Sequence, residues 1–308
     1  MKKSPSQLLI ASVVLFGILS VSTSSIFIRF SQNESVNSMV ISTYRLVVAS
    51  LILTPIVLIK YREELRSIKR KQLILGLISG VFLSLHFFSW ITSLEFTSIT
   101  SSVVLVTTTP LWVAILAPFL LKEKVTKLLL IGMVVSLVGG VIIGISDTCS
   151  WQSGLVCPDM NSFLKDNSLW GNFLALFGAW MAAGYIMIGR ELRSNLSLIP
   201  YIFLVYGLAA IFSLGLILTM GLSIFGYTPI TYVWLILLGV VPQLLGHSSF
   251  NWSLKYVKAS LVSVMLLGEP IGSTILGFII FHETPTFIKI VGGVLILMGI
   301  FITTYRQK

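Results

Sequence analysis

Charge is what this sequence has least of. Only 10% of its 308 residues are Asp, Glu, Lys or Arg, against about 25% in an ordinary soluble domain, so there is too little polar material to cover a water-facing surface. Two cysteines cannot staple a secreted scaffold of this length. The three histidines, His86, His247 and His282, fall far apart with no HExxH spacing, and no GxxxxGK[ST] loop exists to cradle a nucleotide. Intrinsic disorder is excluded by a hydrophobic content of 56%. What the chain does have is long apolar runs and a mean hydropathy of +0.97.

A bilayer-crossing helix needs about 20 mostly apolar residues. Ten such runs are read, at about 8–29, 38–60, 72–93, 99–121, 127–146, 169–190, 198–221, 230–253, 258–281 and 286–305. The expected fold is an all-α polytopic membrane protein. Lys2 and Lys3 precede the first run as they would a signal peptide, but the run is too long and no small-residue cleavage site closes it, so it is read as a retained span. With the N-terminus inside, the alternating linkers put all 21 basic residues on the inner side except Arg29, Arg45, Lys165 and Lys289. That is the positive-inside bias, and it accounts for the net charge of +10 without a nucleic-acid partner. The expectation is a cell (plasma or inner) membrane protein with both termini cytoplasmic. Linker 147–168 then lies outside, where Cys149 and Cys157 are either a disulfide closing that loop or two free thiols.

Sliding the chain by 160 residues uncovers an internal repeat. Ser93-Leu94 falls on Ser253-Leu254, Pro110 on Pro270, Glu123 on Glu283, Thr126 on Thr286, Gly132 on Gly292 and Gly139 on Gly299. Earlier segments follow with small slips: Phe16-Gly17 and Arg29 on Phe177-Gly178 and Arg190, and Tyr44 on Tyr206. The reading is a five-helix repeat over 1–146, an extracytoplasmic linker over 147–168, and a second repeat over 169–308. Five is odd, so the second copy enters the membrane inverted. The charges agree, since Lys60, Arg62, Arg66, Lys69, Arg70 and Lys71 crowd one linker whereas its counterpart near 222–229 has none. Inverted repeats are a transporter architecture, in which two pseudo-equivalent halves, helices 1–5 and 6–10, open a central site alternately to each side.

The segment Leu121-Lys122-Glu123-Lys124, then Gly132 and Gly139-Gly140-Val141, resembles the helix-4/helix-5 signature of the EamA family of the drug/metabolite transporter superfamily. So does Phe281-His282-Glu283-Thr284 with Gly292-Gly293 and Gly299, and Tyr44-Arg45-Leu46, Thr109-Pro110-Leu111 and Gly268-Glu269-Pro270 are similar too. The resemblance runs from about 10 to 305. It implies a ten-helix exporter or importer of small metabolites, often amino acids, working without ATP. Linker 147–168 departs from it by its length.

Ionisable groups inside spans cost about 2.5–3.5 kcal/mol on insertion scales and are functional candidates by default. Arg45 sits about 10 Å below the outer end of helix 2, His86 about 10 Å below that of helix 3, and Glu269 near mid-depth of helix 9. Their repeat counterparts are Gly207, Gly246 and Thr109, so the symmetry requires none of these charges. Two readings of Arg45 stand: a structural one, in which it snorkels or clamps helix carbonyls, and a fork for a substrate carboxylate. Glu269 either pairs with Arg45 or stays protonated in a dry interior, or else it serves as a proton-coupling carboxylate or a partner for a substrate ammonium; His86 and His247 either titrate in function or are satisfied core residues. Tyr44, Trp90, Thr109, Trp112, Trp180, Tyr185 and Asn251 complete the candidate substrate site, with Trp90 and Trp252 also read as interface anchors. The serines and threonine of 20–25 are too many hydroxyls for a lipid face.

Gly76-x3-Gly80, Gly140-x3-Gly144 and Gly268-x3-Gly272 suit close helix approach, and mid-span Pro110, Pro242 and Pro270 suit kinks. Gly132, Gly139, Gly292 and Gly299 suit packing of helix 5 on helix 10, and a homodimer through these outer helices is the alternative to a monomer. Glu123 and Glu283 read as caps or gate salt bridges on opposite sides. No cofactor, metal or catalytic residue is expected. The partners are a small-molecule substrate and membrane lipid. The competing classes are a proton-independent facilitator and a non-transporting receptor or scaffold.

Overall fold

A computed structural model describes residues 5–121, 127–148, 150–151, 155–156, 166–257, 259, 262 and 265–304. Span 1 is two helices, Gln7–Ser22 and Ser24–Asn33, and spans 2 and 3 are Ser38–Lys60 and Arg70–Phe96. Span 4 is Ile99–Val106 with Thr109–Leu121, and span 5 is Lys127–Thr148. Spans 6 and 7 are Asn167–Asn195 and Leu198–Thr219. Span 8 runs from Pro229 to Ser253, span 9 includes Gly268–Phe281, and span 10 is Phe287–Thr304. Seven of these are long and apolar enough to cross a membrane by length and composition, and the apolar stretches Leu130–Ile143, Gly268–Phe281 and Phe287–Gly299 are shorter. The helices start where short polar side chains satisfy the orphan N–H groups of a first turn. Asn37 accepts from the Met39 N–H, Ser98 from Ser101 and Asp166 from Ser168. In the linker, β1 (Ser150–Trp151) pairs antiparallel with β2 (Leu155–Val156), Ser150 opposite Val156. Cys149, Cys157 and Glu123 lie outside the described residues.

The prolines act differently from simple kinks. Span 4 breaks at Thr107-Thr108, and span 9 turns at Leu266-Leu267, in both cases just ahead of the symmetry-related Pro110 and Pro270. Proline has no N–H to give and crowds the preceding turn. The Leu266 carbonyl, which Pro270 cannot serve, accepts instead from the Glu269 N–H at 2.9 Å. Pro242 lies inside a π-helical turn, Gly239–His247, that interrupts span 8. Such turns absorb an extra residue and re-aim the side chains beyond it.

The packing is pseudo-twofold. Spans 2, 4 and 5 lie against their own counterparts 7, 9 and 10; span 1 packs on 8 as span 6 packs on 3, and span 1 on 9 as span 6 on 4. Individual contacts repeat as well. A Cβ on Gly17 would meet Ser249 Cβ at 2.9 Å, and one on the equivalent Gly178 would meet the equivalent Ser89 Oγ at 3.1 Å. A Cβ on Gly139 would lie 2.6 Å from the Gly292 carbonyl oxygen, and one on Gly299 would lie 2.5 Å from that of Gly132. These glycine faces are therefore spent on the span 5–span 10 crossing within the chain. Gly76 and Gly80 fit against Leu204, Leu208 and Ala209, and Gly268 and Gly272 against Ile18 and Ser22. The expectation for Gly140 is corrected: its nearest neighbour would stand 3.9 Å away.

Each repeat is threaded through the other at the 2–7, 3–6 and 5–10 crossings. The two faces of the bundle are distinct. Glu64 accepts from both the N–H and the hydroxyl of Ser197 at 2.6 Å, joining linkers 2–3 and 6–7 on the face nearest the N-terminus. On the opposite face the Tyr44 hydroxyl donates to the Ile224 carbonyl at 2.7 Å and the Thr228 hydroxyl to Glu34 at 3.3 Å. The basic linker 60–71 and the uncharged turn 222–228 are thus at opposite ends, as an inverted second copy requires.

Candidate functional site

A cavity opens between spans 3, 4, 6, 8 and 9. Its polar groups come from residues that are out of place in an apolar helix: His86 and Trp90, Thr107 and Thr109, Tyr185, His247 and Asn251, and Glu269. Val106, Ala182, Ile186, Phe250, Leu254, Val262 and Leu266 form the apolar wall.

His86 and Trp90 are one turn apart on span 3, with ring centroids 6.1 Å apart and planes at 12°. His86 Nδ1 lies 2.9 Å from the Gly178 carbonyl. A carbonyl only accepts, so Nδ1 carries the proton and Nε2 is left as an acceptor in the neutral ring. Across the cavity the Tyr185 hydroxyl donates to Asn251 Oδ1 at 2.8 Å, and Asn251 Nδ2 donates to the Tyr206 hydroxyl at 3.0 Å. The Asn251 backbone is fixed in turn, its carbonyl accepting from Arg193 Nε at 3.0 Å. The Thr107 and Thr109 hydroxyls donate to Val103 and Val106 carbonyls, which leaves their oxygens as acceptors.

Glu269 is the one carboxylate on this wall. It is 8% exposed and stands in the first turn of Gly268–Phe281, where the helix dipole favours negative charge. Among the described residues no Lys, Arg or His nitrogen comes within ion-pair distance of it. Glu269 and Arg45 thus make no direct ion pair, though their charges attract each other across the gap. Arg45 is fully buried one layer behind the wall. Its Nε donates to Gln243 Oε1 at 2.7 Å and its Nη1 to Ser24 Oγ at 2.6 Å. The guanidinium lies 4.0 Å from the Phe87 ring centroid and 5.9 Å from that of Trp90. It neither snorkels nor binds helix carbonyls; it is a cation held by two neutral side chains and aromatic faces. The π-helical turn places Gln243 to meet it and His247, four residues on, to line the cavity, edge-on to Phe87 at 5.3 Å.

Of the residues singled out from sequence, His86, Trp90, Thr109, Tyr185, His247, Asn251 and Glu269 converge on this cavity. Trp90 is 2% exposed, so its reading as an interface anchor is corrected. Arg45, behind the wall, and Tyr44, Trp112 and Trp180 lie elsewhere. Trp180 is 37% exposed and packs edge-to-face on Trp112 at 5.0 Å, in a stripe with Phe173 and Phe177 along the outside of span 6. Tyr44 belongs to the 222–228 turn, 6.1 Å from Tyr232. The span 1 hydroxyls are buried in helix packing, with Ser20, Ser22 and Thr23 bonding carbonyls of their own span. Sequence reasoning missed the apolar wall, which looks like any lipid-facing leucine. It also missed Arg193, which reads as one more inside charge but is 2% exposed.

A carboxylate, an amide, two imidazoles and aromatic faces around a mid-helix cavity offer orientation to a small ligand with an apolar body. Comparison with known proteins agrees. A local segment is 36% identical over 72 residues to an uncharacterized transporter of Archaeoglobus fulgidus, and the chain spans only 27% of that protein's length. The uncharacterized transporter YetK of Bacillus subtilis is 23% identical over 303 residues, covering 97% of this chain and 88% of YetK. A crystal structure with 15% identity superposes with a TM-score of 0.66 over 97% of this chain and 98% of the other, which establishes a shared fold. The sequence pattern of the EamA-like transporter family matches twice, over residues 8–145 and 169–305, once per repeat. The chain is a multi-pass membrane transporter and belongs to the EamA-like transporter family.

Proposed function

We propose that the protein is a secondary carrier that exports small polar or amphipathic metabolites, amino acids among them, by exposing the central cavity alternately to either side. The observation that carries this reading is the placement of Glu269, His86, His247, Asn251 and Tyr185 around one cavity where the two repeats meet. Glu269, with no cation within ion-pair reach among the described residues, suits a substrate ammonium. The same carboxylate accepts a proton once the ammonium has left, and competition of the two for one site exchanges substrate for proton. The apolar wall of Phe250, Leu254 and Leu266 receives the body of the substrate. Arg45 positions this wall from behind, through Phe87 and Trp90. The charge bias of the linkers supports a cytoplasmic N-terminus and a plasma or inner membrane location.

The test is counterflow in proteoliposomes across a panel of amino acids, with and without a pH gradient. Saturable counterflow is expected, with a rate that follows the gradient. Glu269→Gln and Arg45→Ala are expected to abolish it while inserting normally. If both variants keep normal counterflow, the two residues are structural and the assignment is wrong.

A further inference from the structure

On the face opposite the N-terminus, one carboxylate joins three elements from the two repeats. Glu283 Oε1 pairs with Arg29 Nη2 of span 1 at 3.4 Å, and Oε2 accepts from the backbone N–H of Ile99, the first residue of span 4, at 3.0 Å. A free helix-terminal N–H and the positive end of its dipole favour such a carboxylate. The side chain is aimed by the backbone. Span 9 ends at His282 in the left-handed region (φ +56°), and the Glu283 N–H returns to the Gly277 carbonyl at 3.3 Å. This reversal lays the carboxylate back over spans 1 and 4. Beside it Phe30 packs on Trp234 of span 8 at 4.8 Å and on Phe281 of span 9 at 5.1 Å.

Internal symmetry separates what belongs to the repeat from what closes this face. Arg29 also donates to the Thr97 carbonyl at 3.2 Å, and its counterpart Arg190 donates to the equivalent Val257 carbonyl at 3.2 Å. Likewise Gln32 Nε2 donates to the Ile91 carbonyl at 2.8 Å, as its counterpart Arg193 does to that of Asn251 at 3.0 Å. These bonds stay within one repeat and occur at both ends of the bundle, so they hold each repeat in shape. Glu283 crosses between the repeats. Both of its partners lie in the first repeat while it hangs from the second, so spans 1 and 4 cannot part from span 9 on this face until it lets go.

We infer that Glu283 is the latch of the gate on this face, and that its release from Arg29 and the Ile99 N–H opens the cavity to that side. The inference rests on the transport reading, but its test does not require a known substrate. A reporter cysteine replaces Thr109 in the cavity of the full chain, with Cys149→Ser and Cys157→Ser. Its reaction with a membrane-impermeant cationic thiol reagent is timed from each side of oriented vesicles, the latch side being the one from which a Ser223→Cys variant is labelled. Glu283→Ala is expected to raise the latch-side rate about tenfold or more, the scale of one partly exposed ion pair with one charge-assisted cap, and Arg29→Ala, which spares the Ile99 cap, about threefold. They lower the rate from the other side, because a gate shifts a population between two openings. Glu283→Gln, which keeps an acceptor for the Ile99 N–H, shows a smaller rise. Arg190→Gln, which removes the within-repeat bond to Val257 at the other end, shows no latch-side rise.

An unchanged latch-side rate in Glu283→Ala overturns the inference. So does a rise from both sides together, which reports loosening of the fold, and so does an equal rise in Arg190→Gln. Wild-type counterflow is scored separately. One-sided shifts in labelling without counterflow of any substrate uphold the latch and sink the transport reading.

Discussion

The Arg45–Gln243 contact yields a thermodynamic prediction whose size follows from the geometry. Arg45 is fully buried, and its 2.7 Å bond to Gln243 Oε1 is the tie between the middle of span 2 and the π-helical turn of span 8. A hydrogen bond to a charged group contributes about 1.5–3 kcal/mol. Gln243→Leu leaves the Arg45 charge buried with Ser24 as its remaining hydrogen-bond partner, and losing one hydrogen bond to a buried cation costs about 2–3 kcal/mol. Arg45→Met leaves the Gln243 amide bare and gives up contact with the Phe87 face, a loss of about 2–4 kcal/mol. Removing both replaces the polar pair with apolar side chains of similar size, so the double variant should be less damaged than the two losses added together. The coupling expected is about 2 kcal/mol. Equilibrium unfolding of the four proteins in mixed micelles measures it. Strict additivity, with coupling under about 0.5 kcal/mol, would refute the view that the two residues act as one unit.

Two further predictions concern packing and ligand preference. Gly139→Val and Gly299→Val should destabilise by similar amounts, about 2 kcal/mol or more from overpacking, whereas Gly140→Ala should change little; thermal unfolding of the three variants decides whether the pseudo-twofold contact is real. Asn251→Leu removes the amide that joins the Tyr185 and Tyr206 hydroxyls and should alter the order of preferred substrates in competition assays, whereas Trp180→Phe, away from the cavity, should leave that order intact.

The legible parts of the sequence were those where lipid makes chemistry expensive. Apolar runs mark the spans because an unpaired backbone group cannot sit in hydrocarbon. The same expense singles out Glu269, His86, His247 and Asn251, and the structure gathers all four at one cavity. Tryptophan and tyrosine are different: an amphipathic ring suits a lining, a packing seam or a bilayer surface equally, so Trp90 was indistinguishable from Trp180 until burial separated them. The π-helical turn was hidden because Pro242 announces only a missing donor, not how the helix accommodates it. Arg193 was hidden because charge counting assigns a side to a residue but not a depth. The repeat, by contrast, was fully visible at Gly132, Gly139, Gly292 and Gly299, since no composition bias puts four glycines in register.

The mutual threading of the repeats has a consequence for biogenesis. When synthesis has reached residue 146, the seam of span 5 that holds Gly139 has no partner, and its match at Gly292 has not been made. The first half must therefore wait in the bilayer with its grooves filled by lipid chains or by a chaperone. Completion of the span 5–span 10 crossing should therefore await the last helix, and a chain truncated before it should insert without completing that crossing.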